Sequence, residues 1–472
     1  MERVKGWKSY QKILNRQKRK KNNLASSIKL TGFLILVILL VYGSVRIFYF
    51  GKSYLITRDR QFQGTGIRPI NFIKDKSGRA KSGTGDFNIF SGGGFSVKSL
   101  KTYFKDNPPA FDKIQDGRYI QEIDGYTVVY TIKPVIQKEA EKTLKKYAVP
   151  YGVLAAVNPD TGAVLGLASY SYNKRGINDV SGLIPYPAGS LAKIITASAA
   201  IESKGFYPGF DICFNGGLYG TNKTYWQQNI NTGLNRISFS LAFAKSCDIA
   251  FGKIAGFYVG GKLLAEYFKK FYFNTKMPFM LNLQESKADI PDEFYQLELT
   301  GAGFKNVEIT PLQAALIAGV AINGGRLIEP YIIKKIIGPN GKTVYVHKGI
   351  KVLDNPVTVK TASILKQMMI KTITGGIGHP DFYNIYSQYM LPGVITGGKT
   401  GSISGNNPRG LYQWFAGFGE NRDKKIAVSA LVIENPVWRI TGGGVAEKAL
   451  FAYFFKNNNL KITYSKRKLK AG

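Results

Sequence analysis

The stretch Pro187-Ala188-Gly189-Ser190-Leu191-Ala192-Lys193 decides how the rest of the chain reads. Pro187 and Gly189 suit a tight backbone approach, and the apolar run over 191–200 predicts a buried helix. Ser190 starts that helix, and Lys193 lies one turn later on the same face. A serine hydroxyl is a weak nucleophile that needs a neighbouring base, and a helix N-terminus favours developing negative charge. Lys193 supplies the base if burial or a nearby cation holds it neutral. The same spacing recurs at Ser9/Lys12 and Ser465/Lys468 in solvated basic stretches, so the pair does not specify a site by itself.

Two further stretches give it a context. Ser246-Cys247-Asp248 lies among apolar helical sequence, and Lys399-Thr400-Gly401-Ser402 follows Val394-Ile395 and a glycine pair. In this order the three resemble the active-site motifs of penicillin-recognising serine enzymes. The resemblance is closest to the transpeptidase domain of monofunctional, class B penicillin-binding proteins and runs from about Gly125 to Phe455. Ser171-Tyr172-Asn173 and Ser404-Gly405-Asn406 mimic the second motif, but the first precedes Ser190 and the second follows Lys399. Lys133 departs from the acidic residue frequent in that family after Thr-Ile.

The resemblance implies a role for each residue. Ser190 is the acylated nucleophile, Lys193 its general base, and Ser246 the relay of a proton to the leaving amine. Lys399 supplies positive charge, Thr400 hydrogen-bonds a terminal carboxylate, and Gly401 permits close substrate approach. The backbone N–H groups of Ser190 and Ser402 form the expected oxyanion hole, stabilising charge as it develops. Asp248 stands where many relatives carry Asn. An ionised Asp accepts hydrogen bonds but cannot donate one to substrate, and it can pair with Lys193 and favour that lysine's charged form. The implied reaction cross-links peptidoglycan stem peptides ending in D-Ala-D-Ala, with β-lactams acylating the same serine and with consequences for cell shape. No metal or organic cofactor is required. A serine β-lactamase, a D,D-carboxypeptidase or a β-lactam sensor shares the first acylation and stays open, as does a non-catalytic envelope scaffold.

Bulk properties set limits. A chain of 472 residues suggests two folded units plus appendages, and a formal charge of +35 predicts attraction to anionic surfaces. The basic residues are spread throughout without a recognition-helix or zinc-finger pattern, which argues against nucleic acid as partner. Cys213 and Cys247 allow one disulfide at most, and Cys247 reads as a small packed residue. His347 and His379 are the only histidines, which disfavours a histidine zinc centre or a Ser-His-Asp triad.

Residues 1–29 read as a basic cytoplasmic segment, including Lys18-Arg19-Lys20-Lys21, and 30–49 as one transmembrane helix. No small-residue cleavage site follows the apolar core, so the anchor is expected to stay. Residues 50–118 read as a short linker or pedestal with a short element near 97–104, and 119–456 as the transpeptidase domain. Residues 457–472 read as a basic tail. Strands are predicted at 126–132, 153–157 and 164–169, with Asn158-Pro159-Asp160-Thr161-Gly162 as a hairpin turn. A helix is predicted over 135–147. The Gly- and aromatic-rich stretch 206–231 reads as a lid or rim, with helices at 237–244 and 249–258 around Ser246. Thr310-Pro311 predicts a capped helix over 312–322. A hairpin at 331–347, a helix at 362–369, strands at 391–401, 412–418 and 426–433, and a helix over 444–455 complete the pattern. Two strands, a helical insertion, three strands and a helix give an α+β fold: a five-stranded antiparallel sheet with a helical subdomain, of the penicillin-binding transpeptidase and serine β-lactamase type. The active site is expected where the two parts meet.

The positive-inside rule places the catalytic domain outside a bacterial cytoplasmic membrane, with lipid around 30–49 and a membrane glycan polymerase as the partner the resemblance implies. The full chain should fractionate with membranes, and a chain beginning near Gly51 should be soluble. Protease added outside intact cells should reach the residues after Gly51; cleavage there only after lysis would overturn the topology.

Overall fold

The computed structural model describes residues 97–456, apart from 173–180, 221, 229–232 and 435–437. The expected basic leader, membrane-spanning segment, most of the linker and the basic tail lie outside these residues. Among the described residues no helix is long and apolar enough to cross a membrane.

The central sheet consists of β1 (Tyr151–Val157), β2 (Val164–Tyr170), β3 (Ile395–Asn406), β4 (Arg409–Glu420) and β5 (Lys425–Glu434). Its order is β3-β4-β5-β1-β2, antiparallel throughout. The first two strands therefore join the sheet beside the last one. Nearly all of β5 is buried because both faces of the sheet are covered, which explains its continuous apolar run. Val428, Ala430 and Val432 pack with Leu154 and Ala156 on one face, against α1 (Pro134–Lys146) and the terminal helix Gly442–Phe455. Ala427, Leu431 and Ile433 join the larger core on the opposite face.

That larger core holds the helical part. It contains α2 (Ala192–Lys204), α3 (Asp248–Lys253), α4 (Phe294–Ala302), α5 (Pro311–Val320) and α6 (Val359–Gly375). Thr310 Oγ1 accepts from Gln313 N at 3.2 Å and Pro311 takes the first position of α5, as the Thr-Pro pair predicts. Helix α6 is longer than the 362–369 expected from sequence, because Thr358 caps it upstream by accepting from Thr361 N. A second antiparallel sheet takes Lys113–Gln115, Arg118–Ile123, Tyr126–Tyr130, Ile333–Ile337 and Thr343–Val346. The element expected near 97–104 is a helix, Val97–Asp106.

One stretch departs from the sequence pattern. Residues 237 and 238, expected at the start of a helix, end the strand Asn235–Ser238, which pairs with Asp211–Phe214. The helix begins at Phe239. Cross-strand bonding to a segment in the aromatic-rich rim overrides the local helical pattern, and only the tertiary pairing reveals it.

Behind the rim, Glu298 on α4 is fully buried and neither carboxyl oxygen has a hydrogen-bond partner. Lys253 Nζ, also buried, instead donates to Gln228 O at 2.5 Å. Burial raises the Glu298 carboxyl from its ordinary 4.5 to about 8, with the Lys253 charge opposing the rise. The folded state thus retains a proton that the unfolded chain releases above its ordinary value. Stability should fall as pH rises from about 5 to 8. Denaturant midpoints across that range should decline for the wild type, and Glu298→Gln should remove most of the decline; identical slopes would sink the assignment.

Candidate active site

Ser190 lies in a single 3-10 turn, Gly189–Leu191, that runs directly into α2. The turn requires a positive φ of 55° at Gly189, which glycine adopts without a Cβ penalty. It is held at both ends. Upstream, Tyr186 and Pro187 pair with Ile309 and Glu308, and Trp414 Nε1 on β4 donates to Pro187 O at 2.8 Å. Downstream, α2 continues through buried residues from Ala192 to Ile201 before Gly205 ends it in the left-handed conformation.

One helical turn on, Lys193 is wholly buried and its Nζ donates to three oxygens. They are Ser190 Oγ at 2.7 Å, Ser246 Oγ at 3.3 Å and Asp248 Oδ1 at 2.5 Å. Ser246 lies in the short link between the helix Phe239–Ala244 and α3, and Asp248 is the first residue of α3. Ser246 has a φ of 53°, rare for a residue with a side chain. That conformation belongs to a tight reversal in which Ser246 N bonds Phe243 O and Cys247 N bonds Ala242 O. The Cys247 side chain is buried, and its thiol is pushed up to about 12, so it stays protonated. Both cysteines are free.

The third stretch reaches the same point from the sheet. β3 is the edge strand next to β4, paired in unbroken register from Ile395↔Glu420 to Asn406↔Arg409. Lys399 is also wholly buried, with Nζ 2.8 Å from Ser246 Oγ and 2.9 Å from Thr400 O. Its amine is held well below the usual lysine range by burial first and by the Lys193 charge second, with Asp248 opposing. The buried Thr400 Oγ1 has no hydrogen-bond partner. A Cβ built on Gly401 would lie 3.4 Å from Ser190 N, and one on Gly189 would lie 3.6 Å from Ser402 N. Both backbone amides therefore flank the seam between turn and strand.

The structure brings Ser190, Lys193, Ser246, Asp248 and Lys399 into one hydrogen-bonded chain, and sets Thr400, Gly401 and Ser402 along the strand beside it. Sequence reading missed two residues that hold the site. Trp414 stands opposite Gly401 on β4 and fastens the Ser190 turn. Gly303, just past α4, has a φ of 90° and presses on Gly189. The Gly301-Ala302-Gly303 spacing was the available signal; nothing in the sequence says what it touches. Among the described residues no group of three His, Cys, Asp or Glu side chains is placed to hold a metal ion.

The family model for the penicillin-binding protein transpeptidase domain matches residues 152–456. The peptidoglycan D,D-transpeptidase PbpA of Mycobacterium tuberculosis is 27% identical over 370 residues, covering 68% of this chain and 70% of that protein. The stage V sporulation protein D of Bacillus subtilis is 24% identical over 363 residues, covering 72% of this chain and 54% of that protein. Among solved structures, the D,D-transpeptidase domain of a peptidoglycan glycosyltransferase from Eggerthella lenta superposes with a TM-score of 0.58 at 21% identity, covering 71% of this chain and 84% of that one. Penicillin-binding protein A of M. tuberculosis, solved as an imipenem acyl-enzyme complex, gives 0.57 at 24% identity, covering 69% and 79%. These two likenesses are of fold.

Gly303 supplies a test of the turn's placement. A Cβ there would sit 2.0 Å from Gly189 O and 3.1 Å from Ser190 N, against backbone that cannot swing aside. Gly303→Ala should shift the Ser190 turn and slow Ser190 modification by a serine-directed acylating reagent by about 100-fold. Wild-type rates in a folded variant would show that the contact is not needed.

Proposed function

The chain belongs to the penicillin-binding protein transpeptidase domain family, and we propose how its site carries out that family's chemistry. The protein is a serine D,D-transpeptidase that forms peptidoglycan cross-links through an acyl-enzyme, and β-lactams acylate it. Ser190 Oγ attacks the carbonyl carbon of the penultimate D-Ala and its proton passes to Lys193. The observation that carries this reading is the 2.7 Å contact between Ser190 Oγ and a lysine shielded from water. The oxyanion of the tetrahedral intermediate is held by the N–H groups of Ser190 and Ser402, where fixed dipoles need no reorganisation. As the C–N bond breaks, the terminal D-Ala amine takes a proton through Ser246 and leaves. An amine of a neighbouring stem peptide then attacks the ester, loses its proton through the same groups, and restores Ser190.

Substrate orientation follows from the strand. The unpartnered Thr400 hydroxyl and the Lys399 amine, once protonated, receive the terminal carboxylate, and Gly401 lets the Ser190 turn lie close against β3. Residues 30–49 anchor the domain on the outer side of a bacterial cytoplasmic membrane, behind the cytoplasmic segment 1–29. Residues 50–118 form the pedestal, 119–456 the transpeptidase domain and 457–472 the tail. A membrane glycan polymerase supplies the uncross-linked strands.

A labelled penicillin should leave its adduct on the peptide that contains Ser190. Ser190→Ala should abolish labelling, and Lys193→Ala should slow it by about 10²–10⁴-fold through loss of the base. With nascent glycan strands carrying pentapeptides, product mass spectra should show cross-linked dimer that is lost with Ser190→Ala. Exclusive release of D-Ala, even with a glycan polymerase present, would mean a carboxypeptidase. Rapid penicillin turnover without action on glycan peptides would mean a β-lactamase.

A further inference from the structure

We propose that Asp248 keeps the resting positive charge on Lys193, and that a ligand's carboxylate, arriving at Lys399 and Thr400, draws this charge across Ser246 and so frees Lys193 to act as base. The inference rests on the acyl-transfer reading above and names what switches its base on.

The hydrogen count sets the problem. An ammonium has three hydrogens and no lone pair. Lys193 Nζ has three oxygens within hydrogen-bond distance, on Ser190, Ser246 and Asp248, so as an ammonium it is fully satisfied and has nowhere to take the Ser190 proton. Lys399 is equally buried, but its partners are a hydroxyl oxygen and a backbone carbonyl, and among the described residues no carboxylate lies in salt-bridge range of it. Two ammonium groups on either side of Ser246 would set two buried positive charges against one carboxylate. An uncompensated charge in such a place is costly. The charge therefore rests on the lysine that has the carboxylate, and Lys399 rests as the neutral amine. The downward displacement of the Lys399 amine, caused by burial and then by Lys193, agrees with this.

The other titratable groups facing the pocket do not change the balance. The Cys247 thiol stays protonated, and the Tyr219 phenol is raised by burial first and by Asp248 second. Neither takes a proton from Lys193 near neutral pH.

Ser246 is the conductor. Its Oγ stands 3.3 Å from one amine and 2.8 Å from the other, and its hydroxyl hydrogen is free to rotate. In the resting state it accepts from Lys193 and gives its own hydrogen to neutral Lys399. In the transfer, an N–H bond on Lys193 breaks as its proton joins Ser246 Oγ, while the original Ser246 O–H breaks and an N–H forms on Lys399. No atom is gained or lost. Lys399 becomes the ammonium, Ser246 is unchanged, and Lys193 has a lone pair 2.7 Å from Ser190 Oγ. Without an anion beside Lys399, the pull of Asp248 returns the charge to Lys193. An Asn at 248 would exert no such pull, so the switch belongs to this side chain, which acts through Lys193 as a positioning residue for charge.

The test compares benzylpenicillin with its methyl ester, which lacks the anion, using the full chain in detergent. Second-order rate constants for Ser190 acylation are measured against pH. Esterification weakens binding at every pH and does not by itself move the ascending limb of the profile, so the limb position is the readout. In the wild type the ester's limb should lie at least one pH unit above that of the acid. In Asp248→Asn the limbs should converge, and the ester rate at neutral pH should rise about 10-fold over the wild type. Coincident limbs in the wild type overturn the inference whatever the variant does, and an undiminished gap in Asp248→Asn overturns the part given to Asp248. Absence of Ser190 labelling by both compounds would overturn the acyl-enzyme reading, and this inference with it.

Discussion

A lysine shut away from water has three hydrogens to place, and Lys193 places them on Ser190, Ser246 and Asp248. Everything else in the site follows from satisfying that one group. The three oxygens come from the turn before α2, from the link before α3 and from the first residue of α3, so the network pins two separate pieces of the helical part to each other. Lys399 then ties in the sheet through Ser246. As a device for stability this would be poor, because taking charges out of water costs about as much as their attraction returns. Its value is in placement: four polar groups linked by hydrogen bonds, all excluded from solvent or nearly so, beside the Ser190 hydroxyl.

The Ser190 turn shows how packing sustains that placement. Gly189 permits a backbone shape most residues avoid, Gly303 lets a second segment press on it, and Trp414 fastens Pro187 to the sheet. Small residues bring main chain against main chain, and a large aromatic with one polar edge closes the remaining gap. The seam between sheet and helices is therefore narrow, and the amides of Ser190 and Ser402 meet across it.

Much of this could be read in the chain. The Thr310-Pro311 cap, the Asn158–Gly162 turn and the central strands carry local signals, because capping, turn chemistry and apolar runs act over a few residues. The three motifs could be placed in order, and the pairing of Asp248 with Lys193 followed from the chemistry of a carboxylate where an amide is usual. What could not be read is non-local. The strand Asn235–Ser238 exists because Asp211–Phe214 lies beside it. The burial of Glu298, the grip of Trp414 and the pressure of Gly303 arise from segments distant in sequence, and composition does not announce them.

The strand order has a consequence in time. β1 and β2 leave the ribosome as a hairpin, but β5, the neighbour that β1 requires, is made about 270 residues later, after the entire helical part. At about 5–20 residues per second, that hairpin waits on the order of tens of seconds with an unpaired edge. Lys399, Gly401 and Trp414 arrive within the same later segment, so the serine made early has neither its second lysine nor its anchoring tryptophan until about 210 further residues have been made. A chain stopped before that segment is thereby chemically silent: the site exists only once the early turn and the later strands have met.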